Sequence, residues 1–170
     1  MELNEIKKEL EKASDKDTWS LYAYLATQLR VRGLIRTRNI VGERGEFIAI
    51  ETYNGISGLP KLQAAPEGTQ NVDALSRKGE RYSIKTVSLP GTTTGVFHGL
   101  SEPGTPEKEQ KFEYVILVVI DDNYDLVKMY EVSWGQFLKH RKWHKTMRAW
   151  NISLTKQLCD EAKLIFSNQT

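Results

Sequence analysis

Two side chains on one short stretch, Asp73 and Lys85, carry the chemistry around which this sequence can be read. A carboxylate such as Asp73 offers hard oxygen ligands to a divalent cation, and a lysine beside it can orient or polarise a water next to a phosphate. The stretch from Asn71 to Thr86 joins them as a hairpin. Its arms, Asn71 to Leu75 and Arg81 to Val87, place Val, Tyr, Ile and Thr at strand-like spacing, and Gly79 lies in the Arg77 to Glu80 segment between them. The two-residue period of a strand puts Ser83 and Lys85 on one face and Ile84 on the other. If Tyr82 pairs with Ser76, residues 77–81 form the loop and Asp73 lies across from Lys85. An ordinary solvated hairpin would use the same residue types. A serine–lysine amidase would take Ser83 as nucleophile and Lys85 as base, but nothing in the sequence points to an oxyanion hole.

Asp73, a spacer of nine residues and then Ser83-Ile84-Lys85 resembles the Asp…(Asp/Glu)-x-Lys signature of the PD-(D/E)xK nuclease superfamily, and within it the PvuII type of restriction endonuclease. The likeness continues through Gly79, Phe112 to Ile120, Leu126 to Glu131 and Trp143 to Phe166, roughly the last hundred residues. The resemblance implies a restriction-endonuclease-like core and a Mg²⁺-dependent endonuclease, with Mn²⁺ able to substitute. It also implies double-stranded DNA as substrate, 5′-phosphate and 3′-hydroxyl products, and a homodimer whose two-fold axis matches a palindromic site. The chain departs from the pattern at Ser83, which stands where the family carries its second acidic residue. A serine hydroxyl is a poor ligand for a hard cation. Either another carboxylate fills the position, or the chain is a DNA-binding or assembly module that no longer cuts, or the serine was introduced to stop cutting.

Glu46 is the carboxylate placed to fill it. Residues 42–53 read as a helix, and a turn of about 100° per residue sets Glu46 between Ala49, Ile50 and Tyr53 on the apolar face. An ionised carboxylate there needs a cation, an arginine or a hydrogen-bond network. The resemblance implies that Glu46 is a metal ligand with Asp73. A buried salt bridge and a misassigned helix face are the other two readings.

Around this site the chain predicts helices over 2–13, 18–32, 42–53, 134–144 and 154–165. A buried strand is expected over 112–120, and a hairpin partner over 126–132. This order makes an α/β or α+β domain with a mixed central sheet flanked by helices. The whole of 1–170 is expected to be one domain: a helical part over 1–40, with Trp19, Tyr22, Leu25, Ala26 and Leu29 on a face suited to a core or a dimer, and a core over 41–170. Residues 54–70 and 88–110 lack a period and read as irregular loops.

The charge is balanced, 24 Lys plus Arg against 22 Asp plus Glu for a net +2, so any affinity for nucleic acid must come from local clusters. Arg36 and Arg38 close one cluster, and Lys142 and Lys145 flank Trp143 in another. Thr92, Thr93, Thr94 and His98, in the longer loop, offer donors and acceptors to base edges. Solvated helix ends would read alike for the two basic clusters. A single cysteine, Cys159, and a longest apolar run of seven residues, Tyr114 to Ile120, give the expectation of a cytoplasmic protein with no membrane span.

Overall fold

The computed structural model describes residues 2–168, and it divides at Ile40/Val41 into two compact units. The first holds α1 (Leu3–Glu11) and α2 (Asp15–Val31). Ser14 caps α2 by accepting the Asp17 amide at 3.2 Å, and Gly33 follows its end at φ +69°. Neither helix has a buried residue. Trp19 and Tyr22, edge to face at 5.9 Å, are both exposed.

The second unit is a mixed α/β domain. Its elements are α3 (Ile40–Gly55), β1 (Leu62–Ala64), β2 (Ala74–Ser76), β3 (Arg81–Ser88), β4 (Tyr114–Ile120), β5 (Leu126–Ser133), α4 (Trp134–His140), β6 (Lys142–His144), β7 (Ala149–Asn151), α5 (Lys156–Glu161) and β8 (Lys163–Ser167). Six strands form one sheet in the order β1-β2-β3-β4-β5-β8; β6 and β7 form a separate ribbon. All neighbours are antiparallel except β3 and β4, which run parallel with Lys85 opposite Leu117. A parallel pair needs a long crossover, and residues 89–113 supply it.

The apolar run of β4 is buried on both sides, as expected of a central strand. Ile116, Val118 and Ile120 pack with Tyr82, Ile84 and Met129 beneath Ile48, Ala49 and Tyr53 of α3. Val115, Leu117 and Val119 face the opposite way, into Phe97, Phe112, Phe137, Trp150, Ile152 and Leu158. Ser83 and Lys85 share the second face, because their partners in β4 are Val115 and Leu117.

Several expectations are corrected. The helix read over 134–144 stops at His140, where Arg141 turns extended (φ −63°, ψ 146°). Lys142-Trp143-His144 then follows a strand period, with Trp143 packed on Trp150 at 5.1 Å and its two neighbours exposed. The helix read over 154–165 is the short α5, capped by Thr155. Ala162 is extended, and β8 takes Ile165 and Phe166 to the α3 side of the sheet. Residues 92–97 form no helix or strand, as expected of a loop, but they are pinned: Thr94 and Phe97 donate backbone bonds to Ile152 and Trp150 at 2.9 and 2.7 Å, and Phe97 is fully buried. Phe97→Ala is therefore expected to cost about 3–5 kcal/mol. Urea denaturation measures it, and a cost of a few tenths would show that this segment is peripheral.

Candidate functional site

The active hairpin is built from the turn outward. Ser76 and Glu80 close a three-residue loop, Arg77 to Gly79, through an amide–carbonyl bond of 2.9 Å, and Gly79 adopts φ +84°. Ala74 therefore pairs with Tyr82, and the same register carried one residue further sets Asp73 level with Ser83. The expected Tyr82–Ser76 pairing is thus displaced by two residues. A displacement of two leaves every side chain on its original face, so Asp73 and Lys85 still share one.

Asp73 is held by the strand it serves. Its Oδ2 accepts the Ile84 amide at 2.6 Å and the Ser83 hydroxyl at 3.3 Å, and its own amide donates to the Tyr82 carbonyl at 2.8 Å. These bonds anchor one carboxylate oxygen, Oδ2. Ser83 is fully buried between Asp73 and β4. Its hydroxyl orients the aspartate and adds no negative charge.

Lys85 lies two residues on, with Nζ 4.8 Å from the centre of the Phe97 ring. Burial pulls its ammonium below the ordinary lysine range, while the charges of Asp73 and Glu46 push it back up. A lysine depressed by burial carries a stability cost at low and neutral pH. That cost fades as the pH rises past its lowered value toward that of the unfolded chain.

Glu46 comes to this site from α3. At Gly45 the helix backbone lies so close to β3 that a Cβ there would stand 1.7 Å from the Thr86 hydroxyl oxygen. Thr86 Oγ1 is buried without a hydrogen-bond partner, so the approach costs a polar group its solvation. A glycine inside a helix also costs about 1 kcal/mol relative to alanine. Both costs secure the position of the next residue, Glu46, whose charge is felt at Lys85.

The carboxylates that could hold a cation here are Asp73 and Glu46, the two whose charges act on Lys85. Among the described residues no group of three His, Cys, Asp or Glu could hold a metal ion. Two carboxylates fit Mg²⁺, which keeps several waters and completes its shell with substrate phosphates rather than with a full protein cage.

The predicted DNA contacts divide. Arg36 and Arg38 are exposed in the first unit; Lys142, Lys145 and His98 are exposed in the second. Thr94 is a correction: it is buried, and its hydroxyl donates to the Gly95 carbonyl at 2.7 Å while accepting the Ile152 amide at 3.2 Å, so its one donor is already used and the group is turned away from any base. Thr93 is exposed with its hydroxyl against that of Ser153 at 2.9 Å, and Thr92 gives its carbonyl to the Leu154 amide at 2.7 Å. Sequence reasoning missed Phe97 under Lys85 and the Gly45–Thr86 contact. A glycine at position 45 of an otherwise good helix was the available signal. No protein-family model matches the chain, and no curated protein is significantly similar to it.

Gly45→Ala should destabilise the protein by about 1–3 kcal/mol, and less in a Thr86→Ala background, because the two side chains collide. Equal costs in both backgrounds would place the strain elsewhere. Glu46→Gln should lower the Lys85 pKa further, since it removes a charge that now raises it. NMR titration of the Lys85 side chain reads this directly, and an unmoved midpoint would separate Glu46 from the site. Ser83→Glu should lower the melting temperature without metal, by setting a second carboxylate beside Asp73, and should make stabilisation by Mn²⁺ larger than in the parent. Equal metal-induced shifts in the two proteins would remove Ser83 from the ligand position.

Proposed function

We propose that the chain is a Mg²⁺-dependent endonuclease of the restriction-endonuclease type, hydrolysing phosphodiester bonds in double-stranded DNA as a homodimer. The reading is carried by one observation: Asp73 and Lys85 lie on one face of the hairpin, with the Asp73 carboxylate held in place by the Ile84 amide and the Ser83 hydroxyl. Supporting it are the mixed sheet with helices on its flanks and the spacing of Asp73, Ser83 and Lys85 along one hairpin. The exposed Lys142 and Lys145 add cations for a phosphate backbone.

In this reading Asp73 and Glu46 hold the cation, and Lys85 holds the attacking water against the scissile phosphate. Bound Mg²⁺ would supply Lewis-acid polarisation of a phosphoryl oxygen and a lowered pKa for a coordinated water. Ser83 and the Ile84 amide keep Asp73 in one orientation, so that little reorganisation is left for the reaction. Phe97 closes the site on one side and keeps the ammonium poor in water, where its field acts more strongly.

The buried Ser83 also favours a second reading, a module that binds DNA with steep salt dependence and does not cut. Incubation with supercoiled plasmid in Mg²⁺ and then in Mn²⁺ separates the two. The nuclease reading expects nicked and linear products, lost in Glu46→Gln while the circular dichroism spectrum is unchanged. Binding without cleavage in either metal would establish the second reading, and full activity in Glu46→Gln would move the second ligand elsewhere.

A further inference from the structure

On the face of β3 opposite Lys85, a cavity of about 460 Å³ opens at the other end of the strand. Its volume is typical of small-molecule sites, which run from about 300 to 1,000 Å³. One wall is the half-buried ring of Tyr114, backed by the buried ring of Tyr82, with ring centres 5.2 Å apart and planes 25° from parallel. The floor holds Glu131, whose side chain is only 11% exposed. Its Oε2 accepts the hydroxyl of Tyr53 at 2.7 Å from below. Burial, and then the neighbouring Glu131 charge, keep that hydroxyl protonated, so Tyr53 is fixed as donor. Oε1 is left to the cavity with a loose contact to Lys163 at 3.8 Å.

The rim is cationic. Arg77 and Lys78, on the hairpin turn, are exposed and hold no ion pair among the described residues; Lys163 closes the opposite side. Glu80 is engaged by the Ser76 hydroxyl at 3.0 Å. A ligand for this cavity therefore needs an aromatic body for the tyrosine wall, a polar hydrogen for Glu131 and an anionic tail for the turn. A hydrocarbon would leave Oε1 of the buried carboxylate with only its loose contact to Lys163, and a bare phosphate would meet the carboxylate's charge. A nucleoside phosphate meets all three requirements: the base lies along Tyr114, an amino or hydroxyl group donates to Glu131, and the phosphate reaches the guanidinium fork of Arg77 and the Lys78 ammonium.

We propose that the cavity lined by Tyr82, Tyr114, Glu131, Arg77, Lys78 and Lys163 is a binding site for a nucleoside phosphate, separate from the Asp73–Lys85 site. The separation follows from the strand. Tyr82 and Lys85 differ by three positions and face opposite sides of the sheet.

Isothermal titration of the full chain with AMP and GMP, in EDTA so that the metal site is silent, tests it. Binding is expected for at least one of the two, with the corresponding nucleoside at least about tenfold weaker and inorganic phosphate alone undetected. The double variant Arg77→Ala/Lys78→Ala, altered only at exposed positions, should lose about tenfold or more, and Lys85→Met should bind as the parent does. Failure of both nucleotides to bind overturns the proposal. Affinity unmoved by the double variant, or a nucleoside as tight as its nucleotide, does so too. Loss of binding in Lys85→Met would assign the ligand to the other site instead.

Discussion

The half-buried ammonium of Lys85 is the constraint on which the rest of the arrangement depends. A lysine partly withdrawn from water is favoured where opposite charge is near, and here burial lowers its pKa while the charges of Asp73 and Glu46 raise it. Each has its own means of support. Asp73 is tied to the strand by the Ile84 amide and the Ser83 hydroxyl. Glu46 is brought in by a glycine that lets α3 lie against Thr86. The parallel pairing of β3 with β4, a strand buried on both faces, makes the platform rigid enough to hold them.

The hairpin and its shared face were more legible in the sequence than the elements around them. Strand periodicity and the turn glycine defined the hairpin and its face, because a side chain's face depends only on whether its register position is odd or even. The loop length was misjudged by two residues, an even number, and the face survived. The later segments failed for a different reason. Short stretches such as 142–144 and 163–167 satisfy a helical and a strand period almost equally, and tertiary packing decides: Trp143 against Trp150, and Phe166 against the α3 side of the core. The Ser88 to Gln110 stretch read as a loop because its glycines and prolines conceal Thr94 and Phe97, which a neighbouring strand recruits by backbone bonds that no local pattern announces.

One strand thus carries two different sets of side chains. Toward one face β3 presents Ser83 and Lys85, short of water and bordered by Phe97. Toward the other it presents Tyr82, part of an aromatic wall above a buried carboxylate. The polar groups of the two faces do not share partners: Asp73 is satisfied by β3 itself and Glu131 by Tyr53. Substitutions on one face should therefore leave the other nearly unchanged, as expected of sites without common contacts.

The central claim is that Lys85 acts on the water that cleaves DNA, and it is tested most directly by single-turnover cleavage of a duplex in Mg²⁺ by the parent and Lys85→Met, with both proteins saturated with DNA. The account predicts equal DNA binding and a cleavage rate reduced by at least about 10²-fold in the variant, the scale of a lost group acting on the reacting water. Equal cleavage rates at equal occupancy would contradict it.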